Sequence, residues 1–298
     1  MIYQHPLAYL LAVEGAALLR AFAGEHDRDF TLARIAEVRA FVEAADTWGD
    51  GVTLPSVTTP VGYRTWAETY DLPGNQLVDL EQPVVHEILR RLPAGIALDV
   101  ACGTGRHARY LEELGHRVIG VDSAPAMLDR AAANVPGASL ARSDLHQLPI
   151  PDDAVDVIVC ALALSHVPEL AAALTEFVRV LRPGGHLVIS DSRGLFGYVG
   201  PPVPVHTRSG AVGVLPHWNR LTSDYLAAAL PLGLQVRSCV EPRRPAPLID
   251  PDAKPPTEEL TADDPPSIWV LHTLCPAATN AAYHDNPAAI VWHFQLEQ

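Results

Sequence analysis

Between residues 96 and 191 the chain alternates two hydrophobic patterns. Apolar runs of strand length occur in IALDVA (96–101), HRVIGVD (116–122), VDVIVCALAL (155–164) and HLVISD (186–191), and the less apolar SLARSD (139–144) reads as a weaker strand. Between them lie helical patterns: HARYLEELG, stopped by Gly115; APAMLDRAAANV, with Ser123 as its cap and Pro125 in its first turn; and ELAAALTEFVRVL. In the last of these, apolar side chains recur at Leu170, Ala173, Leu174, Phe177, Val178 and Leu181, and Arg182-Pro183-Gly184-Gly185 ends the helix. Strands alternating with helices predict an α/β fold: a parallel sheet covered on both faces.

The flanks read differently. Residues 1–46 predict two amphipathic helices, one with a stripe of Leu7, Leu10, Leu11, Leu18 and Phe22, the other with Ile35, Val38, Phe41, Val42 and Ala45. Both stripes need a surface to cover them, so this segment is expected to form a lid over the site. Residues 47–75 are broken by Gly and Pro and carry Tyr63, Trp66 and Tyr70. After the fifth strand come a Gly/Pro-rich loop and a helix leading into a sixth strand (LTSDYLAAALPLGLQVRSCVEP). A proline-dense stretch over 242–266, a helix in PSIWVLHTLCPAATNAAY and a last strand in AAIVWHFQLEQ complete the chain. The expected division is a helical cap and connector over 1–75, then a core over 76–298 with insertions near 193–220 and 242–287.

Composition narrows the class. With 48% hydrophobic residues in 298, the chain can bury a sizeable core. No apolar run reaches the ~18–20 residues of a membrane span, and the first fifteen residues lack the basic start of a signal peptide. Cys102, Cys160, Cys239 and Cys275 are far apart, which fits a reducing, cytoplasmic setting and no zinc or other metal site. A net charge of −14, with adjacent basic pairs only at Arg90-Arg91 and Arg243-Arg244, argues against nucleic acid as partner.

The candidate chemistry starts at Cys102-Gly103-Thr104-Gly105, where the first strand runs straight into a helix. Ligands of open parallel sheets sit at the carboxyl ends of strands, and glycine lets backbone approach them. The second strand ends at Asp122, nineteen positions after Gly103, where a carboxylate can accept both hydroxyls of a ribose. A nucleoside-containing cofactor is therefore expected. GTGRHA (103–108) also satisfies G-x-G-x-x-G/A, which keeps a nicotinamide dinucleotide, and an oxidoreductase, as an alternative.

The ordered set LDVACGTGRHARYL, GVDSAPAMLDRA, SDLHQLPIPDDAVDVIVC and LRPGGHLVISD resembles the class I S-adenosylmethionine-dependent methyltransferases over roughly residues 76–192. It is similar in particular to the small-molecule branch related to ubiquinone and menaquinone methyltransferases. The resemblance implies a Rossmann-like seven-stranded sheet, six strands parallel and the last antiparallel between the fifth and sixth, with S-adenosylmethionine as cofactor and S-adenosylhomocysteine as product. It places Ala101, Cys102, Gly103 and Gly105 along the methionine part of the cofactor, and Asp99 as the acid ordering that loop. Asp122 matches the ribose acid, with Ser123 and Met127 beside the adenosine. Asp144 and Leu145 match the pair at the adenine, Ala161 lies near the sulfonium, and Tyr70 resembles a tyrosine that closes over the cofactor. Each has a plainer reading: strand-end aspartates cap helices, small buried cysteines pack, and Tyr63, Trp66 and Tyr70 form an aromatic cluster. Ser123 as cap would leave the Asp122 carboxylate free.

Methyl transfer to a protonated nucleophile needs a base. His166, just past the fourth strand, is the first candidate, and pocket wall is its plainer role. His217, Asp191 and Tyr225 are weaker candidates; His293 reads as a packed histidine. The expected activity is methylation of a small-molecule acceptor at O or N, or at C, in specialised metabolism. The alternatives are a methyltransferase fold using its cofactor for a cyclisation, and the oxidoreductase above. A homodimer is left open.

Overall fold

The computed structural model describes residues 1–67, 70–71, 75–194, 203–207, 210–252 and 268–298. They fall into two compact units: residues 1–56, 206–214 and 244–286 form one, and residues 57–205, 215–243 and 287–298 the other.

The smaller unit is mainly helical. Helix α1 (Pro6–Phe22) starts at Pro6 behind His5, whose Nδ1 accepts the N–H of Leu7. Helix α2 (Arg28–Glu43) is capped by Asp27, whose carboxylate accepts the N–H of Phe30 at 2.8 Å. Two further helices, Ile268–Leu274 and Pro276–Tyr283, pack on α1, and strands Ile2–Gln4 and Val52–Leu54 pair antiparallel. Of the expected α1 stripe Leu10 is buried, Leu7, Leu11 and Leu18 are half-buried and Phe22 is 93% exposed, while Val13 and Ala17, outside that stripe, are buried. Helix α2 departs further: its buried residue is Arg34, ion-paired to the buried Glu14 at 3.0 Å, while Ile35 and Val42 of the expected inner stripe face solvent. Burial pushes the Glu14 carboxyl up and the Arg34 guanidinium opposes it.

The larger unit follows the alternation read from sequence. Helices α3 (Thr59–Trp66) and α4 (Gln76–Leu89) precede β1 (Ile96–Val100), α5 (Arg106–Glu113), β2 (Arg117–Asp122), α6 (Pro125–Asn134) and β3 (Ser139–Arg142). Next come β4 (Val155–Ala161), α7 (Leu170–Val180), β5 (Leu181–Ser192), α8 (Thr222–Ala229), β6 (Leu234–Val240) and β7 (Ala289–Leu296). The sheet order is β6-β7-β5-β4-β1-β2-β3; β7 runs antiparallel to both its neighbours and the other six strands are parallel. The chain builds outward from β1 to β3, then returns to β4, so the switch in strand order lies between β1 and β4. Val100, Ile158, Leu187 and Phe294 are fully buried, as continuous apolar strands under helices require.

Two local expectations change. Strand β5 begins at Leu181, paired with Val155, so the Arg-Pro-Gly-Gly stretch is an irregular entry to the strand and not a separate helix stop. The Gly/Pro-rich loop after β5 contains a two-stranded sheet, Val203–Thr207 with Gly210–Leu215. No helix among the described residues is long and apolar enough to cross a membrane.

Candidate active site

The carboxyl end of β1 turns sharply into α5. Ala101 and Gly103 have φ of 55° and 56°, and Gly105, which precedes α5, has φ of 87°. A Cβ on Gly105 would come within 2.7 Å of Val135 Cγ2, so this position requires glycine for conformation and for space. The loop is fixed by its neighbour strand: Cys102 N–H donates to Val121 O, and Gly103 N–H donates to Asp122 Oδ2, both at 2.9 Å.

Asp122 ends β2 and is 9% exposed. Its second oxygen accepts the N–H of Ala124 at 2.8 Å. The expected cap at Ser123 does not form: the residue before α6 is Ala124, without a side-chain cap, and Asp122 itself holds that turn. The carboxylate is thus tied at both oxygens, yet it still lines the site. Burial raises its pKa, and the N–H groups of Ala124, Gly103 and Ser123 oppose that rise.

A cavity of about 400 Å³ opens along the carboxyl edges of β1, β2 and β4. Ala101 and Gly103 line it from the glycine loop, Asp122 and Ser123 from β2, Asp144 and Leu145 from the turn after β3, and Ala161 from β4. Tyr63, Tyr70 and His166 line it as well. The Tyr63 ring meets His166 edge-on at 5.7 Å and Trp66 at 5.4 Å; Tyr70 lies 6.1 Å from Tyr63. Burial raises both phenols, which keeps them protonated donors. Tyr63, Thr58 and Pro60, all lining the cavity, lie in a stretch that reads in sequence as a Gly/Pro-broken connector with Tyr63 in an aromatic cluster.

The other expected residues lie elsewhere. Asp99 is 2% exposed beneath the loop, and its Oδ2 accepts the N–H of Ala108 at 2.9 Å, tying β1 to α5; burial pushes it up to about 7. Cys102 is buried against Gly120, and burial raises its thiol, as it does that of Cys160, so both pack as small side chains. Met127 is fully buried with Ala67 and Ala124 under the aromatic cluster. Gly105 borders a second cavity of about 360 Å³ with Tyr70, Thr104, Arg106 and Asn134. Behind Arg106 of that wall lies an arrangement that the sequence did not single out. Glu81, fully buried on α4, holds Arg106 at 2.5 Å and lies 3.6 Å from His107. Burial pushes that carboxyl up, but His107 and Arg106 hold it below its ordinary value.

Among the candidate bases, His166 occupies a short 3-10 turn (Leu164–His166) after β4. Its Nδ1 lies 2.8 Å from Pro216 O. A carbonyl only accepts, so in the neutral ring Nδ1 carries the hydrogen and Nε2 keeps its lone pair. Asp191 is 1% exposed, with Oδ1 accepting from Ser192 N–H and Oδ2 from Tyr225 O–H at 2.8 Å, so it and Tyr225 brace each other behind the site. His217 lies 6.1 Å from His166, with Nε2 facing Asn219 at 3.3 Å; burial lowers its pKa. His293 pairs with His186 across β5 and β7 at 3.0 Å. Among the described residues, no group of three or more His, Cys, Asp or Glu could hold a metal ion.

An open sheet of six parallel strands and one antiparallel strand, with a cavity at the carboxyl edge beside its switch point, defines a Rossmann-like methyltransferase fold. Residues 98–189 match the family model of a methyltransferase domain, over the same stretch in which the sequence resembles the class I S-adenosylmethionine-dependent methyltransferases. Malonyl-[acyl-carrier protein] O-methyltransferase of Yersinia pestis is 33% identical over 150 residues, 48% of this chain and 55% of that protein. Demethylmenaquinone methyltransferase of Deinococcus radiodurans is 34% identical over 162 residues, 51% of this chain and 64% of the relative. The chain thus spans between about half and two thirds of these relatives. The crystal structure of an S-adenosylmethionine-dependent methyltransferase from Mesorhizobium loti shares the fold at 23% identity and a TM-score of 0.50, over 72% of this chain and 97% of that one.

Proposed function

We propose that the protein transfers a methyl group from S-adenosylmethionine to a small-molecule acceptor, with His166 receiving the acceptor's proton. One observation carries this reading: a single cavity joins the Asp122 carboxylate at one strand end to the imidazole of His166 past another. The residues present fit the cofactor. Asp122 keeps lone pairs beyond its two backbone partners for ribose hydroxyls. The Asp144–Leu145 turn would flank the adenine, and Ala101 and Gly103 place bare backbone where the amino-acid part would lie. When bound, the cofactor supplies a methyl group on a sulfonium, a good leaving group.

The protein's share is then alignment and proton removal. Tyr63 and Tyr70 wall the site with apolar rings, and the Nε2 lone pair of His166 is the group able to accept a proton from a hydroxyl or ammonium nucleophile. Isothermal titration with S-adenosylmethionine, together with native mass spectrometry for a co-purifying nucleoside, tests the assignment. Binding of an S-adenosyl nucleoside supports it; a bound nicotinamide dinucleotide, or no nucleoside binding by the folded protein, overturns it.

A further inference from the structure

The histidine proposed as base sits in a segment that another part of the chain straps down. Residues 216–220 run alongside residues 165–168, and three separate hydrogen-bonding groups join them. Pro216 O accepts from His166 Nδ1, and Trp218 N–H donates to Ser165 O at 2.8 Å. Arg220 then donates from Nη2 to Pro168 O at 2.9 Å and, still more closely, to Val167 O. These two carbonyls follow a single 3-10 turn, and no helix continues there to supply their donors. A guanidinium satisfies both with charge-assisted bonds from one nitrogen. The strap is itself held, because Arg193 donates from Nη1 to Arg220 O at 2.7 Å while its other nitrogen meets Thr222 and Glu241. The start of the next helix is fixed as well, since Leu221 N–H donates to Asp224 at 2.7 Å.

From this geometry we infer that Arg220 is a positioning residue for His166: it holds the strap so that Pro216 O fixes the Nδ1–H form and leaves Nε2 as the acceptor. The inference rests on the reading of His166 as base, but it makes a separate claim about the ring. An imidazole free of the Pro216 carbonyl would exchange its hydrogen between the two nitrogens, and only one of these forms presents a lone pair at Nε2. Arg220 does not line the cavity, so its effect on the chemistry has to pass through the strap it belongs to and the Val167 and Pro168 carbonyls it holds.

The test combines nitrogen-15 NMR of histidine-labelled protein at about pH 8, where imidazoles are generally neutral, with single-turnover kinetics. His166→Asn assigns the His166 signals, and the His186–His293 pair is the internal control. Wild type is expected to show His166 as the Nδ1–H form. Arg220→Ala is expected to convert it to a mixture of both forms while the control pair stays unchanged. Arg220→Ala should also slow the single-turnover rate roughly tenfold at saturating acceptor, with S-adenosylhomocysteine affinity kept within about twofold. In a His166→Asn background the same change should cost little more, because both act through one imidazole. If Arg220→Ala does not fold, Arg220→Lys replaces it; the lysine keeps the charge but offers a point donor in place of the fork, and an intermediate mixture is expected. An unchanged His166 signal in a folded Arg220 variant, or an Nε2–H form in the wild type, overturns the inference. If the tautomer responds to Arg220 but His166→Asn turns over normally, the positioning stands for the ring and the base assignment fails.

Discussion

Asp122 carries two tasks on one carboxylate, and its substitution should reveal both. It fastens the glycine loop through Gly103 and the next helix through Ala124, and its free lone pairs face the cavity. Asp122→Ala is expected to weaken S-adenosylmethionine binding by roughly 1.5–3 kcal/mol through lost charge-assisted bonds. It should also lower folding stability by about 1–3 kcal/mol, since two N–H groups lose their acceptor. Calorimetric titration beside urea denaturation separates the two, and unchanged cofactor affinity in a folded variant would remove Asp122 from the ribose role. For His166, replacement by Asn should slow the chemical step by roughly 10²–10⁴-fold with cofactor affinity retained, because an amide cannot take the proton. A single-turnover rate close to wild type would reduce His166 to a wall. At this scale the sequence pointed to the strand ends that line the cavity, through the glycine loop after β1 and the aspartates at 122 and 144. It did not show which of their atoms are already spoken for: Ser123 looks like a better cap than Asp122 until backbone positions are known. It set Tyr63 in an aromatic cluster but not at the cavity, a place that depends on how a Gly/Pro-broken connector turns back.

At the scale of the element, α2 shows how periodicity can identify a helix and misassign its face. The pattern Ile35, Val38, Phe41, Val42 is amphipathic, and the natural choice is to bury it. In the structure the face is rotated, because Arg34 turns inward to pair with Glu14 of α1, and Ile35 and Val42 are left 44% and 52% exposed. No pattern rule places an arginine inside unless its partner is known, and that partner lies twenty residues away on another helix. Two substitutions therefore trade their expected severities. Arg34→Ala should cost about 1–3 kcal/mol, since the buried Glu14 carboxyl, which can hold its own proton, and Glu37 lose their charge-assisted donor. Ile35→Glu, which a buried stripe could not tolerate, should stay within about 0.5 kcal/mol. Chemical denaturation of both variants checks this, and a reversal of the order would mean that the expected stripe is the buried one.

At the scale of the whole molecule, the doubly wound sheet was the most legible feature, since each buried parallel strand is a continuous apolar run ending in a turn residue. The smaller unit was not legible as a unit. It gathers residues 1–56, 206–214 and 244–286, and contacts between segments so far apart leave no periodic trace in any of them. The sheet also carries a pH dependence that Asp99 sets from within. Its carboxyl, fully enclosed between β1 and α5, is pushed up by burial to about 7, although the Arg106 charge and the Ala108 N–H pull it down. The folded state therefore holds this proton over a range, from about pH 4 to 7, in which an unfolded aspartate at about 3.9 has released it. Binding more protons when folded, the protein loses stability from this group as pH rises through that window, by up to about 4 kcal/mol at about 1.4 kcal/mol per unit. Asp99→Asn keeps an acceptor for Ala108 N–H and has no proton to lose. Urea denaturation at pH 5 and pH 7.5 should show the wild type losing roughly 2.5 kcal/mol relative to the variant. Taking that difference removes the contribution of the other carboxylates behind the net charge of −14. Parallel pH profiles for the two proteins would show that Asp99 is ionised at little cost beneath the glycine loop, and that Arg106 and Ala108 N–H offset its burial.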